Sequence, residues 1–278
     1  MALLTAQQIS RYYELYQSTD VTFTKEVMQT VGLVTKNIFV KYLGTQLPCV
    51  ISSCSMVGAK IIANVKSELF AEILGSNNVL SLHFGLMLQG KSTPISFYVN
   101  SRVVGYSPYA GGSEGLNVVS LSYSQRPPDD LIGTLGQLIE ATSNAKRRKE
   151  DRILITVESM RKLGLLSKDA IVYVQGVPRK CIVRDLSFSG AKLIVTGIGK
   201  FLVDKETVLH LEIEDKRDDL ELTGKIVRFD PVEGRRDIAA LAVQFDEGAL
   251  PLEYKMRINE YLTTVRQSPA DESRSGES

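Results

Sequence analysis

The sequence predicts a mainly β protein, built as two tandem small antiparallel β-barrels, each followed by a helix. Three observations lead there: a long internal repeat, short strands with clean alternation, and an amphipathic segment closing each copy. Residues 32–62 align with residues 164–194 without a gap at an offset of 132, with 11 identities in 31 positions. The identities include Gly44 with Gly176, Cys49 with Cys181, Ser55 with Ser187, and Gly58-Ala59-Lys60 with Gly190-Ala191-Lys192. Weaker similarity continues with small shifts, pairing Val103 with Ile226, Pro108 with Pro231, and residues 116–123 with 238–245. A two-copy period this long is a tandem duplication of one domain rather than a solenoid.

The chain opens with a predicted helix over residues 6–17, with Ile9, Tyr12, Tyr13 and Tyr16 as its apolar stripe. In the second copy, residues 208–214 alternate: Leu209, Leu211 and Ile213 on one face, His210, Glu212 and Glu214 on the other. Residues 153–158, 179–185, 220–229 and 238–245 are further predicted strands, separated by polar or Gly-containing turns. Short strands at this spacing suit a closed barrel, which leaves no exposed edge. Residues 251–265 then place Leu252, Met256, Ile258, Tyr261, Leu262 and Val265 at helical spacing behind Pro251. The equivalent in copy one is residues 128–141, with Leu131, Leu135, Leu138 and Ile139. The polar stretch 269–278 reads as a disordered tail.

Charge divides the chain unevenly. Residues 1–143 carry 9 basic and 9 acidic groups, and residues 153–278 carry 19 and 21. The nine residues between them hold five basic groups (Lys146, Arg147, Arg148, Lys149, Arg152) against Glu150 and Asp151. A positive focus therefore sits at a predicted domain junction, 144–152. The net charge of the whole chain is only +1, which argues against a general nucleic-acid coat. No run approaches the roughly 18–20 apolar residues of a membrane-spanning helix. The N-terminus lacks a secretory pattern, and the three cysteines form no CxxC, which points to a reducing, cytoplasmic setting.

A catalytic constellation is not apparent. Cys49 and Cys181 share one repeat position inside strands and read as small core residues. Cys54 has no nearby His or Lys to activate it. His83 and His210 lack a second ligand at metal spacing, and Gly111-Gly112 is not followed by the Lys of a phosphate loop.

One constellation stands out. Arg148 and Arg152, four residues apart, precede the second copy, and Asp185-Leu186-Ser187-Phe188-Ser189-Gly190 sits at a turn between two strands. RxxxR followed by (D/N)xSxxG resembles the signature of PilZ domains. The whole arrangement is similar to spirochaetal two-domain receptors in which a divergent PilZ-like domain precedes a ligand-competent one. The resemblance implies a non-enzymatic receptor for cyclic di-GMP, with no metal or other cofactor. It implies a downstream protein partner and a link to motility and virulence control. The implied site is Arg148, Arg152, Asp185, Ser187 and Gly190, with Arg147 and Lys146 as electrostatic helpers.

The chemistry agrees with that implication. A guanidinium fork matches the O6 and N7 acceptors of guanine and also neutralises phosphate. Asp185 offers acceptors to a guanine N1–H and N2–H₂ edge but is also a good turn former. Ser187 offers a hydroxyl to a base or to the turn, and Gly190 is expected where φ is positive or a ligand comes close. Copy one is an internal control: Tyr16, Asp20 and Ser53 align with Arg148, Arg152 and Asp185. It is expected to keep the scaffold and lose the ligand. The expected domains are thus 1–143 (degenerate, non-binding), 144–152 (basic linker), 153–268 (binding) and 269–278 (tail). Ordering of the linker on the ligand would change the placement of the two barrels. The competing reading is a nucleic-acid-binding protein gripping phosphates through the basic junction, which would bind with strong salt dependence.

Overall fold

The computed structural model describes residues 4–65, 67–76, 78–87, 92–110, 115–197, 199–214, 219–232 and 234–266. The expected tail 269–278, the Gly111-Gly112 pair and most of the polar loop after Glu214 lie outside the described residues. The chain divides into two compact units, 1–139 and 140–278.

In the first unit, helix α1 (Ala6–Tyr16) leads to β1 (Val21–Thr22), α2 (Lys25–Thr30), β2 (Phe39–Tyr42), β3 (Thr45–Cys54), β4 (Gly58–Asn64), α3 (Ser67–Gly75), β5 (Val79–Leu86), β6 (Ile95–Pro108), β7 (Leu116–Tyr123) and the start of α4 (Asp129–Arg147), which continues past residue 139. The second unit contains β8 (Ile153–Leu154), α5 (Val157–Leu163), β9 (Asp169–Val174), β10 (Val177–Leu186), β11 (Gly190–Thr196), β12 (Glu206–Leu211), β13 (Leu220–Val232), β14 (Arg235–Phe245) and α6 (Leu252–Arg266). Strands β2-β3-β4-β7-β6-β5 close one antiparallel barrel, and β9-β10-β11-β14-β13-β12 close the other. The short strands β1 and β8 hook onto β3 and β10.

The duplication is written into the hydrogen-bond register. Val21 pairs with Cys54 and Thr22 with Ser53; 132 residues on, Ile153 pairs with Leu186 and Leu154 with Asp185. The β3–β4 register shifts between Ile51 and Ser53, and the β10–β11 register shifts between Val183 and Asp185, the same position in both copies. A second bulge lies between Val103 and Gly105 in β6 and between Ile226 and Arg228 in β13, at the expected correspondence of Val103 with Ile226. A bulge adds a residue to one strand and re-aims the side chains beyond it. Retention of both bulges shows that they belong to the architecture.

The core of the second barrel is the inward set of the alternating strands. Val172, Leu193, Leu209, Leu222, Ile226 and Leu241 are fully buried, and Phe188, Tyr254 and Ile258 close one end. Leu209, Leu211 and Ile213 all point inward, as the alternation requires. The side chains of Cys49, Cys54 and Cys181 are buried, and burial pushes each thiol up to about 12, so none is a nucleophile at neutral pH. His83 stacks on Phe39, with its Nδ1 3.0 Å from the Asn37 carbonyl.

Three expectations are corrected. Residues 153–158 are not one strand: pairing ends at Leu154 and helix α5 begins at Val157. A reciprocal cap forces the change, because the Thr156 hydroxyl accepts from the Ser159 N–H and the Ser159 hydroxyl accepts from the Thr156 N–H. Gly164, in the left-handed region at φ 66, then ends α5. The expected linker 144–152 is not wholly a linker, since α4 continues through Arg147 and takes in Asn144, Ala145, Lys146 and Arg147. Packing extends it: the Asn144 amide is buried and donates to Asn259 Oδ1 of α6 at 2.6 Å. His210, finally, does have carboxylates beside it, with Asp219 at 3.6 Å and Glu221 at 3.7 Å. Even so, no cluster of three or more metal-ligating side chains occurs among the described residues.

Candidate functional site

The site is assembled where the segment after α4 crosses the β10–β11 turn. The turn itself is closed by Ser187. Its N–H donates to the Gly190 carbonyl at 2.8 Å, its hydroxyl donates to the same carbonyl at 3.2 Å, and the Gly190 N–H donates back to Ser187 Oγ at 3.2 Å. Ser187 is completely buried, and the Tyr254 hydroxyl donates to its carbonyl at 2.7 Å from α6. Burial, together with the negative charge of nearby Asp185, pushes the Tyr254 hydroxyl well above its ordinary value and keeps it a donor. Of the two roles open to Ser187, the geometry realises the turn.

Of the two features expected at Gly190, a positive φ or a close approach of ligand, the first is not found. A Cβ there would lie 2.1 Å from the Val243 carbonyl oxygen of β14. Gly58 has the same constraint in copy one, where a Cβ would lie 2.3 Å from the Leu121 carbonyl oxygen. The close approach is that of a neighbouring strand. Ser55 also repeats the Ser187 turn, with its N–H donating to the Gly58 carbonyl at 2.8 Å. The Ser and Gly of the motif therefore build the same turn in both copies.

The acid and the second arginine behave differently. Asp185 stands in β10, just past the bulge, and is nearly buried. Arg152 Nη1 donates to Asp185 Oδ1 at 2.7 Å, and the arginine side chain remains 45% exposed against 9% for the aspartate. One face of the guanidinium is thereby oriented while the rest stays accessible. In copy one the equivalent positions are rewired. Asp20 accepts from Lys60 Nζ at 3.1 Å, and Ser53 replaces the acid. A cation at position 152 has become an anion at position 20.

Arg148 is half-buried, one residue past the end of α4, with its N–H donating to the Asn144 carbonyl at 2.8 Å. Arg147 and Lys146 form the last turn of α4, where cations also favour the negative end of the helix. Lys146 lines a small cavity of ≈ 90 Å³ with Lys149, Ser189, Glu247 and Lys255.

Two of the five basic side chains of 144–152 have acidic partners. Arg152 is held by Asp185, and Lys149 forms an ion pair with Glu247. The Lys149 carbonyl also accepts from the Ser189 N–H at 3.2 Å and the Ser189 hydroxyl at 2.8 Å. Ser189, Glu247 and Tyr254 escaped the sequence reading. Ser189 lay in view inside the motif, but at one of its unconstrained positions.

The chain is similar to known proteins along nearly its whole length. Residues 7–142 match the PilZN3 domain family and residues 146–263 match the PilZ domain family. A protein of Treponema denticola, named cyclic di-GMP binding protein, is 43% identical over 272 residues, covering 98% of this chain and 86% of that protein. The chain belongs to the PilZ family. It is a two-domain member, with a PilZN3 domain ahead of the PilZ domain. Among solved structures, the PlzA protein of Borreliella burgdorferi in complex with c-di-GMP is 24% identical, with 93% of this chain and 99% of that one covered and a TM-score of 0.42. YcgR of Escherichia coli, also solved with c-di-GMP, is 12% identical over 90% of this chain and 92% of that one, with a TM-score of 0.27. In this PilZ chain, no helix among the described residues is long and apolar enough to cross a membrane.

Proposed function

We propose that this chain is a cyclic-di-GMP receptor whose site is formed by Arg148 and Arg152 over the 185–190 turn of the second barrel. The observation that carries the reading is the Arg152–Asp185 pair, present in the copy with the full motif and lost in the other, where Asp20 and Ser53 occupy the two positions. The name of the Treponema denticola relative supports the same ligand. Arg148 and Arg152 grip guanine and phosphate, with Arg147 and Lys146 adding positive charge from the end of α4. Asp185 reads the guanine edge, and a base reaching it must share the carboxylate with Arg152 or displace it. Ser187 and Gly190 maintain the turn.

On this reading, 1–143 is a non-binding domain, 144–152 is the ligand-gripping segment, and 153–268 is the binding domain. Ligand binding changes the arrangement of the two domains, and a downstream protein in the cytoplasm reads that change in control of motility or virulence. Calorimetric titration of the full chain with cyclic di-GMP, against cyclic di-AMP and GTP, tests the ligand. Saturable binding of cyclic di-GMP alone is expected; equal binding of all three, or of none, overturns the reading. Small-angle scattering with and without ligand tests the rearrangement, and identical profiles at saturation remove that part.

A further inference from the structure

We propose that Ser189 is a positioning residue for the two arginines. Its hydroxyl, with the Lys149–Glu247 ion pair, fixes the arginine segment against the turn before any ligand arrives. The inference rests on the cyclic-di-GMP reading of the site. Lys149 follows Arg148 directly and precedes Arg152 by three residues. Its carbonyl accepts both the Ser189 N–H and the Ser189 hydroxyl, while its ammonium group is paired with Glu247. Glu150 Oε1 is a more distant alternative acceptor for the same hydroxyl, at 3.3 Å. Backbone fixed in advance loses no further conformational entropy when ligand binds, so affinity rises without any new contact to the ligand.

The first copy separates the general part of this device from the special part. Gln17 occupies the position of Lys149, and its carbonyl accepts the Met56 N–H at 3.2 Å. The turn is tied to the last strand alike in both copies, with the Tyr123 N–H donating to the Val57 carbonyl and the Phe245 N–H to the Ser189 carbonyl, each at 2.8 Å. Main-chain docking of this segment on the turn therefore occurs in both copies, one residue earlier in the turn of the first. The side-chain bond does not, because Val57 stands where Ser189 does. The hydroxyl is added only in the copy that carries the arginines. Val57 also shows that the turn forms without a hydroxyl at this place.

The test is calorimetry with cyclic di-GMP on the full chain and on Ser189→Ala, Ser189→Thr, Arg152→Ala and the Ser189→Ala/Arg152→Ala pair. Hydrogen exchange of residues 148–152 in the ligand-free proteins accompanies it. Loss of one net hydrogen bond predicts an affinity about three- to tenfold weaker in Ser189→Ala. Faster exchange at 148–152, a nearly unchanged melting temperature and recovery in Ser189→Thr are also expected. Because the residue acts through the arginines, Ser189→Ala costs less in the Arg152→Ala background. Wild-type affinity in Ser189→Ala, an undiminished loss in the Arg152→Ala background, or no recovery with Thr overturns the positioning role. A wild-type chain that binds no cyclic di-GMP overturns the site reading on which it rests.

Discussion

Arg152 and Asp185 form a charge-assisted hydrogen bond at 2.7 Å between a half-exposed guanidinium and a nearly buried carboxylate. The pair joins the two halves of the motif, which lie 33 residues apart in the chain. At the corresponding places in the first copy stand Asp20 and Ser53, and Asp20 pairs instead with Lys60 of β4. One scaffold thus presents a cation in one copy and an anion in the other.

This pair separates the two arginines in their expected effects. Arg148→Ala and Arg152→Ala should each weaken cyclic-di-GMP binding about ten- to hundredfold, as loss of one bidentate contact costs roughly 1–3 kcal/mol. Only Arg152→Ala strands a buried carboxylate, so it alone should also lower stability. Arg152→Ala/Asp185→Asn should recover stability but not binding. Calorimetry and thermal melts check both, and wild-type affinity in an Arg148→Ala/Arg152→Ala variant would remove the site assignment.

Gly58→Ala and Gly190→Ala should destabilise their barrels alike, by about 1–3 kcal/mol, through overpacking against the facing strand. Although only Gly190 lies in the full motif, the Cβ clash is of similar severity in the two copies. Denaturant titrations resolving the two units test this. A large loss of binding in Gly190→Ala with unchanged stability would show that the ligand, rather than β14, demands the glycine.

Asn144→Ala should cost about 1–3 kcal/mol in the second unit, because it leaves the buried Asn259 oxygen without its donor. The same variant should fray the last turn of α4, visible as faster hydrogen exchange at residues 144–148. Unchanged exchange and stability would mean that the Asn144–Asn259 bond does not hold the helix end.

The thiols should be silent at neutral pH and destabilising in alkali. Burial raises the folded-state values of Cys49, Cys54 and Cys181 from 9.0 to about 12. A raised value means that the unfolded chain loses its thiol protons first. The stabilisation is therefore complete below pH 9.0 and is lost as the pH rises toward about 12. Ellman titration of the native protein at pH 8 should find almost no reactive thiol, against three after unfolding. Prompt reaction of the native protein would contradict the packing of these side chains.

The sequence alone determined the duplication, the barrels, the closing helices and the motif. Each is a local or periodic signal: identical residues at a constant offset, side chains alternating with the strand pleat, and arginines at a fixed spacing. It left the helix α5 unread, although Thr156, Ser159 and Gly164 mark its ends, because Ile153, Leu154, Ile155 and Val157 read equally well as strand. Tertiary structure decided the division of labour inside the motif. Gly190 faces the β14 backbone, the Ser187 hydroxyl turns inward to its own loop, and Asp185 reaches Arg152; each depends on a partner far away in the chain or on the turn that those partners hold in place. The same holds for α4, extended by a bond from Asn144 to Asn259, and for Lys149, tied to Ser189 and Glu247. A sequence pattern names the residues that repeat, whereas burial and hydrogen-bond geometry are set only when strands distant in the chain close the barrel. That closure fixes which motif residue supports the turn and which one faces the solvent with its charge.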